Sequence, residues 1–145
     1  MPATIQFDQS RWPLVVVTHH GAATDEEFDA YLVKLKQNLD RAVREKMKTV
    51  LIFDATHAGN SSAKQRQKQA AWMKQHEAPS RLHSAGYAFV IPSTIIRGAL
   101  TAILWLSPMP APYVVVATLA EAQSWCLKML SEAADERRLS AGAQR

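Results

Sequence analysis

Helix-patterned stretches that alternate with short apolar runs predict an α/β fold: a mixed, largely parallel five-stranded sheet with four helices, in the order β-β-α-β-α-β-α-β-α. Three observations carry this expectation. Residues 14–17, 50–53, 87–91 and 113–117 are nearly unbroken apolar runs, the mark of strands covered on both faces. Phe28, Tyr31, Leu32, Leu35, Leu39 and Val43 recur at steps of one, three and four, as on one face of a helix. Ser, Thr and Pro stand where the pattern changes period.

The first element, residues 5–7, alternates in polarity and reads as an edge strand with one wet face. Arg11, Trp12 and Pro13 separate it from the second strand, residues 14–18, where Pro13 sits at the start and its missing N–H does least harm. Thr24-Asp25-Glu26-Glu27 then forms a capping box, with three acids at the positive end of the first helix. Arg44, Lys46 and Lys48 complement its other end.

Residues 50–54 form the third strand, ending at Asp54, and the turn through Gly59 and Asn60 leads to Ser62, which with Gln65 reads as a second capping box. The helix that follows, residues 63–76, has a thin apolar stripe of Ala70 and Met73, and Pro79 closes it. Gly86 reads as a turn before the strand at 87–91. The helix at Thr94–Leu106 is apolar nearly all round, and Pro108, Pro110 and Pro112 turn the chain into the last strand, 113–117. Thr118 and Glu121 cap the final helix, with Ala122, Trp125, Cys126, Met129 and Leu130 on its inner face. The apolar period stops near Asp135, so the expected domain is 1–134 and residues 135–145 a frayed tail.

A chain of 145 residues with 48% apolar content is one domain with enough core to need neither disulfide nor metal. Its lone cysteine, Cys126, excludes an internal disulfide and a CxxC motif and fits a reducing compartment. The opening residues lack a basic region followed by a long apolar one, so no secretory signal is expected and the expected location is cytoplasmic. Residues 98–120 carry no charge, but the prolines interrupt them, and no transmembrane segment is expected.

Net charge is +4, and Lys64, Arg66, Lys68 and Lys74 account for all of it, in a stretch with no acid between Asp54 and Glu77. They read as a solvated helix surface or as a contact for an anion or an acidic partner. Nucleic acid is not expected, because Trp72 is the only aromatic interleaved with them.

Dinucleotide and P-loop sites need glycines that the turn at 18–23 lacks, since it holds only Gly21. His19, His20, Asp54 and His57 gather at the expected C-terminal ends of strands, the edge where open α/β sheets bind ligands. With Ser61 or Ser62 they can be drawn as a hydrolytic triad, yet no GxSxG elbow presents the serine, and Asp54 reads better as a loop cap. No pair of His residues has metal-ligand spacing, so no metal, cofactor or catalytic residue is expected.

The helix at Thr94–Leu106 has Ile95, Ile96, Leu100, Ile103, Leu104 and Trp105 around its circumference and must cover two sides. One side goes to the sheet, and the other to neighbouring elements, a partner subunit or an apolar ligand.

The element order, the early edge strand, Trp12-Pro13, Asp54 at a strand end, the Asn60-Ser61-Ser62-Ala63 turn, the Gly86 to Val90 strand, Arg97 with Trp105, and Ala122 with Trp125 together resemble a STAS domain of the SpoIIAA-like (STAS/SEC14) branch. The resemblance covers residues 4–132. It implies a non-catalytic regulatory or protein-interaction module that self-associates, as a homodimer, with a carrier or sensor of an apolar anionic ligand, such as a lipid or fatty acid, as the alternative. It also marks Ser61 and Ser62 as phosphorylation candidates, although Asn60 stands where anti-sigma-factor antagonists have Asp and Ala63 where they have Gly.

Overall fold

The computed structural model describes residues 4–143. The chain runs β1 (Ile5–Arg11), β2 (Leu14–Gly21), α1 (Asp25–Glu45), β3 (Thr49–Ala58), α2 (Ala63–Gln75), α3 (Glu77–His83), β4 (Ser84–Val90), α4 (Thr94–Leu106), β5 (Tyr113–Val116) and α5 (Leu119–Ala143). The strands form one five-stranded sheet in sequential order, β1 antiparallel to β2 and every other neighbouring pair parallel. The α/β class and the mixed sheet are as the sequence predicts, but there are five helices, not four.

The additional helix is α3. Pro79 was expected to stop helical structure, yet it occupies the third position of α3, in the first turn, where the amide it lacks has no intrahelical carbonyl to meet. Arg81 pairs with Glu77 one turn away, and His83 Nδ1 lies 3.0 Å from the Met47 carbonyl, tying α3 to the end of α1.

The two faces of the sheet are unequally covered. Val15, Val17, Leu51, Tyr87 and Phe89 face α1, together with Trp72 of α2 and Ile96 and Leu100 of α4. Leu14, Val50, Ile52, Ala88 and Val90 face α5 alone, against Ala122, Trp125, Cys126 and Met129. The alternation along each strand assigns the faces, because successive side chains point to opposite sides.

The capping box of α1 is complete: Thr24 Oγ1 accepts from Glu27 N at 3.1 Å, and Thr24 N donates to Glu27 Oε1 at 2.9 Å. Its buried line is Phe28, Tyr31, Leu35, Asn38 and Ala42, each apolar side chain among them contributing about 1.5–3 kcal/mol when fully buried if it is large. Val43, expected on this line, is exposed. From Leu35 the apolar residues advance in steps of four, each overshooting a full turn by about 40°, so the stripe drifts off the face that touches the sheet. Asn38 takes the inner position and accepts a hydrogen bond from the Gln9 amide of β1.

Three other expectations change. Gly86 is inside β4, not in a turn, and a Cβ there would lie 2.6 Å from the Trp125 ring and 3.2 Å from the Pro112 carbonyl oxygen. The glycine is therefore the seat of the indole that closes the α5 face. Strands β2 and β3 run past Thr18 and Asp54 to Gly21 and Ala58, with a bulge where β2 advances from Thr18 to His20 while β3 advances from Asp54 to His57. Helix α5 continues to Ala143 through the segment expected to fray after residue 134, and Arg137 donates to the Lys46 carbonyl at the left-handed end of α1. Residues 1–3 of the expected domain and 144–145 of the expected tail lie outside the described residues.

Gly86→Ala should destabilise the fold by about 1–3 kcal/mol, because the added methyl overpacks the Trp125 contact. Urea denaturation checks it, and pairing with Trp125→Leu should recover part of the loss.

Candidate functional site

The expected polar cluster divides when the strands are assembled. His20 and His57 are register partners on β2 and β3, their rings stacked with centroids 6.0 Å apart. His19 points to the opposite face and meets the Tyr31 ring edge-on at 5.6 Å. The Asp54 carboxylate accepts from Thr56 N at 3.0 Å and Thr56 Oγ1 at 2.5 Å, which clamps the β3 bulge. Among the described residues no serine hydroxyl bonds a histidine ring, and no group of three or more His, Cys, Asp or Glu side chains converges as a metal site.

Ser62 is the N-cap of α2, its Oγ accepting from Gln65 N at 3.0 Å. The reciprocal half of the expected capping box is absent, because the Gln65 side chain turns inward and donates to the Ala23 carbonyl at 3.0 Å and to Asp25 Oδ1 at 3.2 Å. Ser61 is half-buried, and its carbonyl accepts from Arg66 Nη1 at 2.6 Å.

The four cations of α2 do not share one free face. Lys64 Nζ lies 3.5 Å from Asp25 and Lys68 Nζ 2.8 Å from Asp29, both acids on α1. Gln65 first, and then Lys64, hold the Asp25 carboxyl below the usual carboxylate range. Lys74 is exposed near the far end of α2, and Arg66 turns toward the interior of the α2 side.

That interior contains the site the sequence only outlined. Between the sheet and its helices lies a cavity of about 200 Å³, lined from the strands by Phe53, Tyr87, Phe89 and Ile91, from α1 by Phe28, Tyr31 and Leu35, and from α2 by Arg66, Gln69, Trp72 and Met73. Its cover is α4, which contributes Ile96, Ala99, Leu100, Ile103 and Leu104. The α4 residues singled out in the sequence thus separate: four line the cavity, while Ile95 and Trp105 point outward, 68% and 85% exposed. No residue of α4 is fully buried: the helix rests chiefly on α2, and only Ile96 and Leu100 reach the core cluster over the sheet. Ser93 caps it through Ile96 N, and Arg97 Nε holds the Ile91 carbonyl at 2.7 Å. Gly21 and Asn60, the lining residues most exposed to solvent, mark the rim at the C-terminal ends of the parallel strands.

The cavity wall is nearly uncharged. Desolvation brings the His19 imidazole down to about 4, with His20 adding to the fall and Asp54 opposing it, so the ring is neutral at pH 7. Burial raises the Tyr31 hydroxyl further above its ordinary range. The Tyr87 hydroxyl is raised chiefly by burial and shares a 2.9 Å hydrogen bond with Ser84 Oγ, leaving its ring to the cavity. Cys126, on the other face, is buried and pushed up to about 12 by desolvation, the state of an inert core thiol.

The same arrangement of sheet and helices occurs in the crystal structure of an uncharacterized protein of the DUF3478 family from Shewanella loihica PV-4, described as having a SpoIIAA-like fold. It superposes with a TM-score of 0.61 at 15% identity, over 84% of this chain and 91% of the other. The chain has a SpoIIAA-like fold. No protein-family model and no curated protein matches it. Within this SpoIIAA-like domain, no helix of the described residues is long and apolar enough to cross a membrane.

The neutral His19 gives a pH prediction. The unfolded imidazole, near 6.5, takes a proton that the folded one resists down to about 4, so the unfolded state binds more protons in that window. Stability is therefore undiminished above 6.5 and falls as the pH drops toward 4. Denaturant midpoints of His19→Phe measured from pH 7.5 to 4.5 should fall less steeply than those of the wild type; equal slopes would mean a solvated imidazole.

Proposed function

We propose that this SpoIIAA-like domain is a non-catalytic binding module that takes an apolar small molecule between its sheet and α4. One observation carries the reading: a cavity of about 200 Å³ with an aromatic and aliphatic wall, covered on one side by a helix that has no fully buried residue. An apolar cavity of about 150 Å³ in another protein stays dry and takes up benzene, and an apolar space of this kind, open at its rim, likewise gains from an apolar occupant what it lacks in packing. The cover favours exchange, since an element with few buried contacts opens at low cost. The dispersed polar groups support a binding role over a catalytic one, for no nucleophile is held against a base. The buried thiol is in keeping with a reducing, cytoplasmic setting.

Indole, a neutral apolar probe, should raise the melting temperature of the wild type, as a ligand at about 100 times its Kd adds about 2.7 kcal/mol. Ala99→Trp, which fills the cavity from α4, should fold and lose that response. An indole shift retained in Ala99→Trp, or absent from the wild type, would count against the reading.

A second reading, self-association as a homodimer, is favoured by the outer face of α4. Ile95, Trp105 and Leu106 are exposed on α4 and Tyr113 on β5, large apolar side chains whose burial a partner subunit would supply. If so, Trp105→Glu should sediment as a folded monomer where the wild type sediments as a dimer. A wild type that is monomeric at all concentrations would remove this reading and leave the first intact.

A further inference from the structure

The wall of the cavity also specifies what kind of apolar molecule fits, an inference that rests on the ligand-binding reading above. Volume sets the first limit. At about 200 Å³ the space exceeds by roughly a third the cavity size known to hold one benzene ring, about 150 Å³. One ring with a short substituent fills that space.

The second limit is the chemistry of the wall. Phe53, Tyr87 and Phe89 line the cavity from the strands, Phe28 and Tyr31 from α1 and Trp72 from α2, and the three strand rings form a connected aromatic surface. Phe53 is stacked on Phe89 with centroids 5.2 Å apart and on Tyr87 at 6.4 Å. A further ring gains from edge and offset contacts with such a surface, beyond the gain from its buried area.

The third limit is charge. Among the described residues, Arg66 is the only ionised side chain in the wall. One of its N–H groups is committed to the Ser61 carbonyl, and among the described residues it has no carboxylate partner. On α1, Asp25 is engaged by Gln65 and Lys64, and Asp29 by Lys68. Arg66 is half-buried in the first turns of α2, a helix with no acid in its first turn, so the helix end does not offset its charge. A guanidinium in this position has donors left for a planar anion, and partial exclusion of water strengthens the pairing.

We propose that the cavity binds a small aromatic carboxylate, its ring against the stacked Phe53 and Phe89 and its anionic group on Arg66. Neither the expected lipid nor a fatty acid is the occupant that this wall selects. Arg66 is here a ligand-anchoring residue, in contrast to its expected place on a surface patch with Lys64, Lys68 and Lys74.

Calorimetric titration of the full chain tests this with benzoate, phenylacetate and 3-phenylpropanoate, each beside its amide, with 3-cyclohexylpropanoate and palmitate as saturated competitors and indole as the uncharged reference. At least one aromatic acid should bind about ten-fold or more tightly than its amide, a factor that one charge-assisted contact supplies. Arg66→Gln should erase that difference while leaving indole binding unchanged, which also shows that the variant keeps its cavity. Equal affinity for acid and amide, or an equal loss of acid and indole in Arg66→Gln, would overturn the anion assignment. Tighter binding of palmitate or the cyclohexyl acid would overturn the aromatic one. In both cases indole binding by the wild type would leave the proposed function standing, and failure of every probe, indole included, would overturn both.

Discussion

The constraint on which the rest of the structure depends is the direction in which the sheet grows. After the antiparallel β1, each new parallel strand is added on the same side of its predecessor, β2 to β5 in sequence order. Crossovers of one hand then carry every connecting helix over the same face of the sheet. Helices α1, α2 and α4 consequently lie on one side, and only α5, which leads to no further strand, is free to fold back over the other. The asymmetry between a crowded face and a thinly covered one follows from this topology.

Each face answers the asymmetry differently. On the thin side a single helix of 25 residues must cover β3, β4 and β5, and it does so by bringing Trp125 down to the backbone of Gly86, where any side chain would hold it off. On the crowded side, α2 lies between α1 and α4, and α4 rests on α2 with its inner residues over open space. The cavity is the gap between a twisted sheet and a helix displaced by its neighbour. The aromatic residues of β3 and β4 fill part of that gap without closing it, because stacked rings are planar and leave space above them.

Most of the sheet was legible in the sequence, and the reason is local. Val15, Val17, Val50, Ile52 and Val90 are buried where unbroken apolar runs placed strands. Thr24 and Glu27 form the cap their spacing announces. The misjudged elements are those where a local signal has two outcomes. Pro79 ends a helix or opens one, depending on whether it is placed in the last turn or the first. Gly86 serves a turn or a close approach, and only the position of Trp125, 39 residues further along the chain, decides between them. Gln65 completes a cap or, as here, bonds a carbonyl on another helix.

The candidate site was legible in its parts and not in its assembly. The unusual apolar circumference of α4 marked it as covering two surfaces, and Arg66 was visible as a charge without a nearby acid. Sequence by itself determined the α/β class, the five strands and the surplus of apolar surface on α4, because these follow from the period and composition of contiguous residues. Only the tertiary structure decided which α4 residues turn inward, that Lys64 and Lys68 are taken by acids on α1 while Arg66 faces the cavity, and that His19 parts from His20. Those outcomes depend on which helix lies beside which, and the sequential order of the strands sets that at distances no local pattern records.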